Sequence, residues 1–152
     1  MWRRPPPGPA DQPADLIEVH KAARRMVLSR AGLPLREYRI ALGLDPVGHK
    51  RREGDGRTPE GTYRVDWRNP RSRFHLSLHV SYPDDRDREV AAAAGLDPGG
   101  DIMIHGQPNG RGWTARWRQR RDWTVGCLAV TNREMRDIWS LVPDGTPIVI
   151  RP

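Results

Sequence analysis

Fifteen glycines and fifteen prolines are scattered along 152 residues, and this punctuation most limits what the chain can fold into. Both residues stop helices and set turns, so the segments between them suit short strands better than long helices. "LIEVHKAARRMVLSRAG" holds two short apolar runs around "HKAARR", a predicted hairpin ending at Gly32. "LREYRIALG" alternates and reads as a third strand, and a fourth is expected over Thr62–Trp67. In "RFHLSLHVSYP", Phe74, Leu76, Leu78 and Val80 share one face, and His75, Ser77, His79 and Ser81 share the other. The first face predicts core. The second is solvated or lines a groove.

Two short helices are expected. "DDRDREVAAAAGLDPGG" has acids in its first turn and Gly95 as its stop, and "TNREMRDIWSLV" has Thr131 or Asn132 as cap, with Met135, Ile138, Trp139 and Val142 on one face. "DIMIHG" and "DGTPIVIRP" read as further strands. The sum is a mainly β domain, a sandwich or barrel carrying two short helices. Residues 1–14 are Pro-rich and polar, and are expected to form a disordered arm ahead of one domain over 15–152.

Composition narrows the function classes. With 36% hydrophobic and 30% charged residues, the chain reads as soluble and globular. No apolar run reaches the roughly 20 residues that a bilayer-spanning helix needs. The basic start is not followed by an apolar stretch, so no signal peptide is visible. A net charge of +7, from 26 Lys and Arg against 19 Asp and Glu, favours anionic partners such as nucleic acid, anionic lipid or an acidic wall polymer. A single cysteine excludes an intrachain disulfide.

That cysteine lies in "DWTVGCLAVTN". A lone Cys in an apolar stretch is more often a small buried hydrophobe than a nucleophile. Activation needs a basic neighbour, and among five histidines His105 stands apart. It ends the apolar run Ile102–Ile104 and precedes Gly106, so a rigid element delivers it to a turn. Gly126 before Cys127 permits close backbone approach. The amides around Gly126 and Cys127 could receive the oxyanion of a tetrahedral intermediate.

Three segments in order carry a family resemblance: "LGLDPVGHKRREGDGRTPEGTYRV", "IMIHG" and "TVGCLAVTN". Together they resemble the YkuD-type L,D-transpeptidase catalytic domain over roughly residues 15–151, and "FHLSLHVSYP" with "TVGCLAVTN" is most similar to its YafK-like branch. The resemblance implies catalysis by Cys127 and His105, with the His105 ring oriented by the Gly106 carbonyl. It implies oxyanion or substrate roles for Gly126, Thr124 and Asn132. His79 and Tyr82 are read as edging the substrate groove. The implied reaction forms a thioester on a peptidoglycan stem peptide, which an amine resolves into an L,D cross-link. Water in place of that amine would make the enzyme a carboxypeptidase or cross-link hydrolase. Carbapenem-type β-lactams are the implied covalent inhibitors. No cofactor is implied, and the substrate places the enzyme in the cell envelope or periplasm. The family commonly has Ser-His-Gly-Cys-x-Arg around the nucleophile; here Thr124, Val125 and Ala129 stand at the serine, histidine and arginine positions. Arg116, Arg118, Arg120 or Arg121 are the candidates to replace that arginine.

No metal site is expected. His75 and His79 lie four apart on one strand, about 13 Å, too far to share an ion. "GWTARWRQRRDW" interleaves arginines with Trp113, Trp117 and Trp123, a pattern that also suits base stacking and phosphate neutralisation. A nucleic-acid-binding module is therefore the competing class, although nucleic acid is the less expected partner. In the enzyme reading the segment is a flap over the groove.

Overall fold

The computed structural model describes residues 12–152. The predicted hairpin is present: β1 (Leu16–His20) pairs antiparallel with β2 (Arg25–Arg30) across a turn in which Arg24 takes a φ of 51°. Ile17, Val19, Met26 and Leu28 alternate inward and are fully buried. β3 (Leu33–Arg39) follows after Gly32, whose φ of +78° suits a residue without Cβ. β4 (Gly61–Ser72) runs twice as long as expected, because register shifts at Val65/Trp67 and Asn69/Ser72 bend one strand through both halves of the sheet. β5 (His75–Val80), β6 (Met103–His105), β7 (Leu128–Ala129) and β8 (Pro147–Arg151) complete it.

The eight strands form one curled sheet in the order β3-β2-β1-β8-β4-β5-β6-β7. β8 brings the chain end back between β1 and β4, parallel to the first and antiparallel to the second. The two ends of the sheet meet just beyond β3. The Ala41 and Ala129 amides exchange hydrogen bonds with each other's carbonyls at 2.9 Å, and Leu44 N–H donates to the Thr124 carbonyl at 3.1 Å. This closure carries the Cys127 loop against the Gly-rich segment that follows β3.

Among the described residues three α-helices, not two, accompany the sheet. α1 (Asp85–Ala93) begins with a capping box between Asp84 and Asp87. α3 (Asn132–Leu141) is capped by Thr131 and Glu134 in the same way, and buries Met135, Ile138 and Leu141. The additional helix, α2 (Ala115–Arg118), is one turn in the Trp/Arg-rich segment. Four residues are too few to leave a helical period in sequence, which is why the pattern did not predict it. On β5, Ser77 is buried against the Ser72 hydroxyl, although it sits on the face read as solvated or groove-lining. Residues 1–11 of the expected arm lie outside the described residues. Ala14 is buried and donates its N–H to the Leu141 carbonyl at 2.8 Å.

Candidate active site

β6 fixes the histidine. Ile104 faces the core at 0% exposure, so Met103 and His105 face the opposite side. A Cβ at Gly106 would lie 2.5 Å from Asn132 Oδ1 and 3.1 Å from the Phe74 carbonyl, so only glycine fits the turn. His105 Nδ1 lies 2.7 Å from the Gly106 carbonyl. That acceptor assigns the ring proton to Nδ1 and leaves the Nε2 lone pair available. The ring stacks on Phe74 at 4.4 Å between centroids and meets the edge of Trp123 at 5.7 Å. Burial pushes its pKa down to about 4, against the opposing pull of the Gly106 carbonyl. The imidazole is neutral at neutral pH.

The cysteine reaches the same face by strand register. β6 and β7 pair in parallel, Ile104 beside Leu128 and His105 beside Ala129. Leu128 is fully buried in the core, so Cys127 falls on the side of Met103 and His105. One strand across and two residues along correspond to about 8 Å between the His105 and Cys127 Cα atoms. No hydrogen bond joins the two side chains among the described residues. Cys127 Sγ donates instead to the Asp101 carbonyl at 3.3 Å. Cys127 is 9% exposed and borders a cleft of about 310 Å³ with Lys50, Asp101, Ile102 and Val125. Burial pushes its thiol pKa up. The resting pair is therefore thiol and neutral imidazole, not thiolate and imidazolium.

Thr124 and Thr58 build the loop that presents the sulfur. Thr124 Oγ1 donates to the Cys127 carbonyl at 2.7 Å and accepts from Gly126 N–H at 3.1 Å. Thr58, fully buried, donates from Oγ1 to the Gly126 carbonyl at 2.8 Å. Gly126 has a φ of +132°, and a Cβ there would sit 2.7 Å from the Arg57 carbonyl. Thr58 belongs to the "TPEG" stretch that carried part of the resemblance, yet its partner 68 positions away leaves no local signal. Phe74, expected in the core, and Trp123, expected in a flap over the groove, both pack on the His105 ring.

Other expected site residues lie elsewhere. Asn132 Oδ1 accepts from Gln107 N–H at 2.8 Å and packs on Gly106 and Gly112, so it braces the His105 turn and does not line the cleft. Tyr82 is buried, with its hydroxyl donating to the Pro98 carbonyl at 2.8 Å. His79 stacks on Trp67 and pairs with Asp66. Neither Tyr82 nor His79 is among the residues that line the Cys127 cleft.

The arginines named as substitutes also stand apart. Arg118, Arg120 and Arg121 line a separate cavity of about 650 Å³ with Trp117 and Trp123, and Arg116 lies over the Trp117 ring at 4.3 Å. Ala129 is 0% exposed in the closing pair with Ala41, where a guanidinium would have no room. Among the described residues, Lys50 is the one cation lining the Cys127 cleft. Among the described residues no group of three or more His, Cys, Asp or Glu could hold a metal ion, and no helix is long and apolar enough to cross a membrane.

A family model of the L,D-transpeptidase catalytic domain, YkuD, matches residues 14–150. The chain belongs to the YkuD family. Over 111 residues it is 32% identical to the Escherichia coli (strain K12) protein described as "Putative L,D-transpeptidase YafK", covering 71% of this chain and 37% of that relative. The chain thus spans well under half the length of the curated relatives it matches. Among solved structures, the YkuD fold is shared with the helical cell shape determining protein Pgp2 from Campylobacter jejuni, at a TM-score of 0.67 and 24% identity over 93% of this chain and 48% of that one. It is shared also with the L,D-transpeptidase LdtMt1 solved in complex with imipenem, at a TM-score of 0.57 and 16% identity over 90% of this chain and 58% of that one.

Proposed function

We propose that this YkuD domain is a cysteine acyltransferase acting on peptidoglycan stem peptides, with Cys127 as nucleophile and His105 as base. The observation that carries the reading is the parallel register of β6 and β7, which sets both residues on one face while Nε2 of His105 keeps its lone pair. The thiol proton passes to Nε2 as Sγ attacks the carbonyl of the third stem residue, a diamino acid. The Gly126 N–H is engaged by Thr124, so the Cys127 N–H is the backbone donor left to meet the oxyanion. Collapse returns the proton from Nε2 to the leaving amine, releasing the terminal residue and a thioester. An amine from a neighbouring stem then gives an L,D cross-link; water would give a trimmed or split product from the same intermediate. Thr124, Gly126 and Asn132 shape the site in this scheme, whereas His79 and Tyr82 have no part in it. The substrate puts the enzyme in the cell envelope, with cross-linking and cell shape as the process served.

The imipenem complex of LdtMt1 supports carbapenems as covalent probes. Trp123, which faced the competing nucleic-acid reading, instead has its ring under Arg118 and against His105. Incubation with defined muropeptides, read by mass, should give joined, trimmed or split products, and a carbapenem should add one-to-one. Both should vanish in Cys127→Ala; turnover retained by that variant would refute the scheme.

A further inference from the structure

The chain contains two lysines, Lys21 and Lys50, and each is only 3% exposed. Lys21 uses all three ammonium donors, on the Gly48 and Thr58 carbonyls and on Glu60. Lys50 uses two: Nζ donates to the Arg52 carbonyl at 3.0 Å and to Asp55 Oδ1 at 2.9 Å. An ammonium carries three donors, so one N–H of Lys50 is uncommitted among the described residues. This side chain lines the cleft that Cys127 borders, and its positive charge acts on the thiol, opposing the upward push of burial. It is also held rigidly. Asp55 is itself fixed by the N–H groups of Arg51, Arg52 and Arg57 at 2.9–3.2 Å, so the ammonium is set in place before any ligand arrives. The remaining charged residues of the cleft, Glu53 and Asp101, are acidic. Arg118, Arg120 and Arg121 of the Trp-rich segment line a different cavity, Arg116 lies over the Trp117 ring, and position 129 holds a buried alanine.

We infer that Lys50 is the carboxylate-recognising residue of the Cys127 cleft, its third N–H engaging a substrate carboxylate in place of an arginine at 129. The inference rests on the proposed acyl transfer for its substrate class. Two carboxylates of a stem tetrapeptide could supply the ligand: the terminal one on the leaving residue, or the one on the side chain of the diamino acid. Either is an anion brought to a desolvated, fixed cation, and such a hydrogen bond discriminates strongly against a neutral isostere.

The test uses Cys127→Ala, which binds without turning over. Three peptides are titrated calorimetrically: the tetrapeptide, its C-terminal amide, and the form amidated on the diamino-acid side chain. One amide should bind ten- to a hundredfold more weakly than the tetrapeptide, and which one identifies the source. Adding Lys50→Met should weaken the tetrapeptide to the level of that amide and erase the difference. Lys50→Met with Asp55→Asn repeats the test without an orphaned carboxylate, should the single replacement not fold. Equal binding of all three peptides, no binding of any, or discrimination that survives loss of Lys50 would overturn the inference. Carbapenem acylation of wild-type Cys127, read by mass, tests the chemistry separately. An adduct without discrimination removes Lys50 alone, and discrimination without an adduct removes the acyl transfer alone.

Discussion

At His105 and Cys127 one cause acts on both groups. Burial disfavours charge, so it lowers the imidazole pKa to about 4 and raises that of the thiol. An ion pair formed in advance would need the reverse shifts. The reactive form is the neutral pair, present from the His105 pKa upward until the thiol ionises. Below about pH 4 Nε2 carries a proton and cannot accept one. Acylation of Cys127 in single turnover should therefore rise on an acid limb near pH 4 and hold level through neutrality. Its alkaline change should come only above the ordinary thiol range. Acylation followed by stopped flow across pH 3–10 would show this; an acid limb near 6.5, where an unperturbed histidine titrates, would contradict it.

The helices show how far local pattern reaches. Thr131 caps α3 through its side chain, and Glu134 returns the bond to the Thr131 N–H at 3.1 Å. Removing such a cap costs about 1 kcal/mol, whereas burying one side chain such as Met135 or Ile138 contributes about 1.5–3 kcal/mol. Packing outweighs capping, so Thr131→Ala should lose about 1 kcal/mol in urea unfolding with an unchanged m-value. A loss above about 3 kcal/mol would mean that the cap, not the buried face, holds the helix. The Thr131 cap of α3, the acidic first turn of α1 and the first hairpin were legible because each is written within a few neighbouring residues. The full length of β4 was not, because its bulges interrupt the period of two. Tyr82 was misplaced for a related reason: past the end of β5 alternation stops predicting direction, and a tyrosine can bury its ring wherever its hydroxyl finds a carbonyl. Cys127 and His105 were legible as residue types in ordered motifs, but their common face depends on a pairing between strands distant in sequence. Lys50 had no signal at all, since nothing local says that its loop closes against the nucleophile.

Across the whole molecule, the segment between β3 and β4 acts as a strap over the seam where the sheet closes. Lys21 anchors it at Gly48, Thr58 and Glu60; Thr58 ties it to Gly126; Asp55 gathers Lys50 and three backbone N–H groups inside it. Stability and the site thus share the same bonds. For Asp55, burial alone would push the carboxyl up. The Arg51 N–H, the Lys50 ammonium and the Arg57 and Arg52 N–H groups outweigh it and hold the pKa at about 2. A carboxylate lowered this far from about 3.9 contributes about 2–3 kcal/mol to folding above the unfolded-state value, and that contribution fades as pH falls toward 2. Asp55→Asn should accordingly be less stable than wild type by about that amount at pH 7. The gap should narrow below pH 4 and shrink to roughly a few tenths of a kcal/mol near pH 2, where about half of the wild-type carboxyls are protonated. Urea unfolding of both proteins at pH 7, 4, 3 and 2 measures it. A gap that stays constant over this range would show that the variant lost packing or hydrogen-bond geometry, and that the charge of Asp55 does not hold the strap.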